Sequence, residues 1–395
     1  MDTVAIISEY NPFHKGHMYQ ISQVKKVLNH PTVVSLMSPN FVQRGYPALL
    51  DKFTRGECAI RGGVDLSLSI PLVFALLSAE GFAESGVRIA HKLGANYLSF
   101  GVEDDNEELL NLIAELLLST RFEDRMKEEV KLHPENSYPV IRANLVKEFL
   151  GANAYKFINK PNNILAIEYL KAIKKYAPEM KILPIKRIGN DYHDISSDGE
   201  YLSATALRTL INDGKDFLPF LPDSSVATLK DADFFDFEEY KNFLYAVIYS
   251  KSEQAILRCT NNKELTNIIK SASEFYPTYD LFRSSLSRKK YTETKIDRVL
   301  LSILLNISFE EYYHKEPEYV TLLALNDRGK KLLSTLRKSD KIFVISKGAD
   351  LKKYYNLSGM KTEIFADRIY ARCMATKKEG SYFFKKRPYK SEVQK

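Results

Sequence analysis

Short apolar runs alternate with amphipathic stretches along the first hundred residues. Val4-Ala5-Ile6-Ile7 is long enough for a buried parallel strand and too short for a buried helix. A turn cluster, Glu9-Tyr10-Asn11-Pro12-Phe13, follows it. From near Lys15, Ile21, Val24, Val27 and Leu28 fall on one face at helical spacing. TVVSLM over 32–37 predicts a second, β-branched strand that runs into the turn-rich segment 38–45. DLSLSIPL over 65–72 predicts a third strand ending at Pro71, and 78–93 a helix burying Ala79, Phe82, Ala83, Val87 and Ala90. Residues 97–100 predict a fourth strand closed by Gly101, and 182–188 a last parallel strand with Arg187 near its carboxyl end. This alternation predicts an α/β fold with a doubly wound, Rossmann-like parallel sheet.

Between and beyond these units the pattern changes. Residues 104–155 are helical and charged (EELLNLIAELL, then RFEDRMKEEVKL), carry no nameable chemistry, and read as a helical insertion covering one side of the site. Past residue 215 helical periodicity dominates, as at 242–249 and 295–307, while DKIFVIS over 340–346 predicts a strand in a smaller α/β subregion. The expected division is a catalytic domain over 1–215 and a mainly helical, basic region over 216–395.

Strand, tight turn and helix in that order open a nucleotide-binding unit, whose helix N-terminus presents free N–H groups and a positive dipole end to phosphate. His14, Gly16 and His17 sit at that junction. Histidines three apart at a helix start can share a face, and glycine between them permits close approach of the backbone to a phosphate. Two imidazoles plus the dipole would stabilise the charge that develops on an α-phosphate as pyrophosphate leaves. The plain alternative is a pair of surface or capping histidines.

Other candidates cluster at expected carboxyl ends of strands. A side chain at Gly101 would block a nucleotide lying over the strand edge, and Arg187 would reach a triphosphate. Lys52 and Arg55 begin a helix and either face the cleft with Arg44 or form a solvated helix start. Asn162 and Asn163 precede an apolar-periodic helix, so one of them as an N-cap is the plain reading, and a capping asparagine at this sheet edge can also bond a ribose or phosphate. Ser203-Ala204-Thr205-Ala206-Leu207-Arg208 opens a further helix with Ser203 or Thr205 as capping hydroxyl.

The stretch EYNPFHKGH resembles the H-x-G-H signature of the nucleotidyltransferase superfamily. With Ser38-Pro39-Asn40-Phe41-Val42-Gln43-Arg44-Gly45, Asp51-Lys52-Phe53-Thr54-Arg55, Pro161-Asn162-Asn163-Ile164-Leu165, Ile185-Lys186-Arg187 and the 203–208 motif, the chain resembles the bacterial tRNA(Met) cytidine acetate ligase family. The resemblance is dense over the first 210 residues and thinner beyond. It implies an ATP-dependent ligase that forms acetyl-adenylate from acetate and acetylates N4 of the wobble cytidine of elongator tRNA(Met). It implies ATP contacts from the whole loop Ile7, Ser8, Glu9, Tyr10, Asn11, Pro12, Phe13, His14, Lys15, Gly16 and His17. To these it adds Gly101, Asn162 (with Asn163 as cap), Arg187, Ile188, Ser203 and Thr205. His14, His17, Lys52 and Arg208 are the implied catalytic set, with Arg187 and the 203–208 motif holding pyrophosphate and magnesium accompanying it. A loop at Asp191-Tyr192-His193-Asp194 also resembles the family's, with His193 a possible substrate contact or plain surface.

Composition adjusts this picture in four places. A net charge of +7 has the sign suited to a polyanion. Basic and aromatic residues interleave at Arg288-Lys289-Lys290-Tyr291 and Phe383-Phe384-Lys385-Lys386-Arg387, so phosphate contacts and base stacking are expected there, the alternative being solvated faces. Three cysteines with no C-x-x-C pair argue against a protein zinc site and a disulfide framework. Absence of a long apolar span and of a signal-peptide pattern makes the cytoplasm the expected compartment. Two other classes stay open: a small-molecule adenylyltransferase, and an RNA-binding protein with a non-catalytic nucleotide site.

Overall fold

The computed structural model describes residues 2–188, 202–230 and 232–391. The chain runs β1 (Thr3–Ser8), α1 (Lys15–Val27), β2 (Thr32–Met37), α2 (Lys52–Arg61), β3 (Leu66–Ser69), α3 (Leu72–Ala75), α4 (Ala79–Lys92) and β4 (Tyr97–Val102). Helices α5 (Glu107–Leu118), α6 (Thr120–Leu132), α7 (Tyr138–Ile158) and α8 (Pro161–Tyr176) lead to β5 (Lys181–Lys186) and α9 (Ala204–Asn212). Six helices follow: α10 (Asp223–Leu229), α11 (Phe237–Ser250), α12 (Glu253–Thr260), α13 (Lys263–Phe275), α14 (Tyr279–Ser285) and α15 (Glu293–Leu305). The chain closes with β6 (Tyr319–Leu325), α16 (Asp327–Ser339), β7 (Phe343–Ile345), α17 (Gly348–Lys353), α18 (Met360–Arg372), α19 (Tyr382–Lys385) and β8 (Tyr389–Lys390).

The strands form one sheet in the order β5-β4-β1-β2-β3-β6-β7, with β8 also on β6. The first five are mutually parallel, and β1 pairs with β2 from Thr3 opposite Thr32 to Ser8 opposite Met37. Strand order reverses between β1 and β4, which makes the crevice at their carboxyl ends the topological switch point, where ligands bind in open α/β sheets. Alternation along β1 explains its burial on both sides: Ala5 and Ile7 join the core beneath α4 and α8, whereas Val4 and Ile6 join the core of the opposite face.

The second half of the chain is built into this sheet. Strand β6 pairs antiparallel with β3, and β7 and β8 pair parallel with β6. The strand expected in a smaller subregion therefore extends the catalytic sheet, and the helices of 237–305 share a core with α1 and α2 through Tyr240, Ile256, Leu265 and Leu300. Helices α5 to α7 pack on the other face with α4 and α8. Gly151, at φ 84°, breaks α7 into two.

Element boundaries shift modestly from expectation. Val27 is 60% exposed and does not join the buried face of α1. Strand β3 stops at Ser69 because Ile70-Pro71 turns into α3. Strand β4 continues through Val102, so Gly101 lies within the strand. Among the described residues no helix is long and apolar enough to cross a membrane, and the three cysteines are buried, free thiols.

Candidate active site

Helix α1 begins where β1 delivers the chain to the switch point, and its first turn is capped by its own histidines. His14 is the N-cap: its Nδ1 accepts the Gly16 N–H at 3.1 Å, while the His17 Nδ1 accepts the His14 N–H at 3.2 Å. Two of the helix's orphan donors are thus satisfied reciprocally. The rings stack with centroids 3.7 Å apart. With both Nδ1 atoms accepting, each neutral imidazole carries its proton on Nε2, leaving two N–H donors for a ligand.

Electrostatics fix that protonation state. Burial, then the charges of Arg187 and Arg208, press the His14 pKa down to about 3. Burial, then His14 and Arg187, hold the half-buried His17 well below the ordinary imidazole value. The pair therefore serves as uncharged hydrogen-bond donors at neutral pH rather than as imidazolium ions. Gly16 has a reason beyond approach of the backbone to phosphate: a Cβ there would stand 2.9 Å from His14 Cε1, displacing the capping ring.

Three arginines surround this turn. Arg187 lies just past β5, its N–H donating to Val102 O, and its stem occupies the space that a Cβ at Gly101 would contest at 3.3 Å from Cγ. The glycine thus makes room for an arginine. Arg208 donates to Asn11 O at 2.8 Å and to Thr205 Oγ1 at 3.0 Å, and its guanidinium lies over the Tyr46 ring. This ties the 203–208 motif, whose Ser203 hydroxyl caps α9 by accepting Ala206 N–H, to the loop before α1. Arg55 is wholly buried beneath the same loop and bonds only main-chain carbonyls, those of Leu50, Glu9, Ser38 and Pro39. It is neither a solvated helix start nor a group facing the cleft.

Tyr10 and Phe13 complete the cluster. Their rings lie 4.9 Å apart, and both pack on His17, at 4.8 and 5.6 Å. Both are 1% exposed, so they act through packing. The loop around them is further fixed by Gln43 N–H donating to Glu9 Oε1 and by Leu49 N–H donating to Asn11 Oδ1.

A family model described as HIGH Nucleotidyl Transferase matches residues 1–383. A tRNA(Met) cytidine acetate ligase of Acetivibrio thermocellus is 33% identical over 410 residues, covering 97% of this chain and 98% of its own. One from Oceanobacillus iheyensis is 34% identical over 362 residues, covering 88% and 89%. The chain belongs to the tRNA(Met) cytidine acetate ligase family. Among solved structures, Thermotoga maritima TmcAL superposes with a TM-score of 0.89 in its apo form, at 25% identity and 99% coverage of both chains. The same protein bound with alpha-thio ATP superposes with a TM-score of 0.88.

Within this family fold, not every residue expected at the site reaches it. Lys52 is 3% exposed and engaged by Glu363 at 3.0 Å and Asp367 at 2.9 Å, both on α18. Asn40 and Tyr319 complete that network by donating to Asp367 and Glu363. Its ammonium is a buried structural tie to α18. Neither asparagine caps α8: Lys160 is the N-cap, and the Glu103 carboxylate accepts the Asn162 and Asn163 N–H groups at 3.3 and 3.2 Å. Asn162 Nδ2 also donates to Glu103, while the fully buried Asn163 accepts Glu103 N–H and donates to Phe157 O. Asn163 is thus occupied by structure, and Asn162 remains the better placed of the two for a ligand. Glu103 leaves no signal in the sequence beyond its place two residues after Gly101.

Ile188, just beyond β5, is 38% exposed. The expected loop Asp191–Asp194, with His193, lies outside the described residues. Of the expected RNA contacts, Arg288, Lys289, Lys385 and Arg387 are exposed. Lys290 pairs with Glu264, and Lys385 with Glu379. Lys386 is half-buried and holds Asp51, the N-cap of α2, at 2.7 Å, so it belongs to the scaffold. Among the described residues no three His, Cys, Asp or Glu are disposed to hold a metal ion.

Proposed function

We propose that this protein activates acetate with ATP and transfers the acetyl group to N4 of the wobble cytidine of elongator tRNA(Met). The observation that carries the reading is the pair of neutral, stacked histidines at the start of α1, with Nε2–H donors free and Arg187 and Arg208 beside them. Membership of the ligase family supplies the acid and the acceptor.

In the first step an acetate oxygen attacks the α-phosphorus and the bond to the bridging oxygen of pyrophosphate breaks. Charge builds on the α-phosphate oxygens and on the departing diphosphate. The two Nε2–H groups and the α1 dipole meet the former, and Arg187 with the Thr205–Arg208 pair meets the latter. Uncharged histidines suit this task, since their geometry is set by the helix cap and needs no proton uptake. Magnesium, for which the described residues offer no cluster, would enter with the triphosphate as part of the substrate. In the second step cytidine N4 attacks the acetyl carbon, AMP leaves, and N4 loses a proton. The base must be unstacked to reach the adenylate, and exclusion of water protects the mixed anhydride.

The test is RNA mass spectrometry after incubation of the protein with ATP, labelled acetate and tRNA(Met), with His17→Ala as control. Labelled acetylcytidine at the wobble position, lost in the control, is the expected result. ATP cleavage without label in RNA would assign a different acid or acceptor. A stable AMP-containing product made without RNA would favour the small-molecule adenylyltransferase, and absence of ATP turnover would leave a binding protein.

A further inference from the structure

Tyr10 adopts φ 46°, a left-handed conformation unusual for a bulky residue. Such a residue persists only where its surroundings over-determine it, and such positions cluster at functional sites. The angle φ of Tyr10 is set by the plane of the peptide that precedes it, which carries the Glu9 carbonyl. That carbonyl is the acceptor of Arg55 Nη1, at 2.5 Å. The same guanidinium holds Pro39 O at 2.5 Å, Leu50 O at 2.9 Å and Ser38 O at 3.2 Å. One planar cation therefore locks the exits of β1 and β2 and the approach to α2 together.

The consequence reaches the histidines. With its φ fixed, Tyr10 lies edge-on to His17 at 4.8 Å and to Phe13 at 4.9 Å, and His17 in turn closes the cap on His14 N–H. Helix α2, which carries Arg55, is itself fixed by the Asp51 cap and its Lys386 partner. All four hydrogen bonds of Arg55 run to carbonyls and none to a substrate-facing group, so a contribution to nucleotide affinity by direct contact is absent from the geometry.

We propose that Arg55 is a positioning residue for adenylate formation, holding the Tyr10 turn in its left-handed conformation and thereby placing His17. The proposal rests on the adenylating function proposed above. Lysine conserves the charge but offers a single point donor, unable to span carbonyls from three segments. A misplacement of order 1 Å at a reacting centre costs about 100-fold in rate.

The experiment compares Arg55→Lys with the native protein in acetate-dependent ATP–pyrophosphate exchange, thermal unfolding, and hydrogen exchange of amides in 9–17. The expected result is a fall in kcat of about 100-fold with KM for ATP within about threefold. Unfolding should remain cooperative, with faster amide exchange confined to the 9–17 turn. Arg55→Met, which loses the charge as well, should lose kcat further. A folded Arg55→Lys protein with kcat within threefold of native overturns the proposal, and so does a loss carried by KM for ATP. If the native protein shows no acetate-dependent exchange, the ligase reading fails by itself. The Arg55 proposal is then decided by amide exchange in 9–17, where rates equal to native overturn it.

Discussion

Lys52 offers the sharpest contrast between what its motif suggests and what its surroundings allow. Its ammonium lies 3.0 Å from Glu363 and 2.9 Å from Asp367, with all three side chains largely removed from water. At an effective dielectric of ~20, each contact is worth about 5–6 kcal/mol before desolvation. Burying three charges cancels most of that sum, but removing one partner strands the others, at a cost of ~3–5 kcal/mol. Lys52→Met should therefore lower equilibrium unfolding free energy by that amount, measured by denaturant titration at pH 8.

The pH dependence gives a second handle. Burial lifts the Asp367 pKa to about 6 even with Lys52 present to lower it, so in the variant that pKa should rise further. A carboxylate raised in the folded state loses stability as pH climbs from its unfolded value through its folded one. The cost of Lys52→Met should thus be smaller near pH 5 than at pH 8. Adding Glu363→Gln and Asp367→Asn should recover most of the loss, since no charge is then buried unpaired. A Lys52→Met protein within 1 kcal/mol of native, yet devoid of ATP–pyrophosphate exchange, would refute the structural assignment and return Lys52 to the reaction.

Three further outcomes are expected. Because His14 and His17 are held neutral in the fold, the unfolded chain binds more protons below about pH 6.5, down to about pH 3 for His14. Stability should rise with pH across that window, and His17→Asn should reduce the slope by about one proton, read as the pH dependence of the denaturant midpoint; an unchanged slope would mean His17 is charged in the fold. Gly62→Ala would set a Cβ 2.3 Å from Phe13 Cζ, so a loss of about 1–3 kcal/mol and a fall in exchange kcat through the displaced Phe13–His17 contact are expected; native stability and rate together would contradict the packing described. Replacing the exposed Arg288 and Lys289 by alanine should weaken RNA binding similarly across sequences and flatten its salt slope by about one unit per lost phosphate contact, measured by titration at several salt concentrations; an unaltered slope removes this loop from the RNA interface.

Local pattern sufficed wherever one segment carries its own signal. The runs of β1 and β2, the helical spacing of α1 and the H-x-G-H at their junction specify strand, turn and helix in fixed order, and right-handed crossover then dictates the sheet edge where His14 and His17 stand. A capping hydroxyl at Ser203 or Thr205 was equally legible, because capping is a contact with a residue three positions away, and Ser203 is the one that caps.

Contacts between distant segments left no local trace. Lys52 and Arg55 sit three apart on one helix, yet one is drawn to α18 and the other turns to four carbonyls beneath the nucleotide loop. The choice depends on which carboxylates and peptide planes the completed fold brings within 3 Å. Arg208 meets Asn11 across 197 residues, and β6 meets β3 across a helical region that gives no hint of its return to the sheet. The histidine pair at the head of α1 was legible in the sequence, because a helix start and its cap are made of neighbours. How those residues are held was decided by tertiary structure, because a buried charge is placed by whatever partners the rest of the chain supplies.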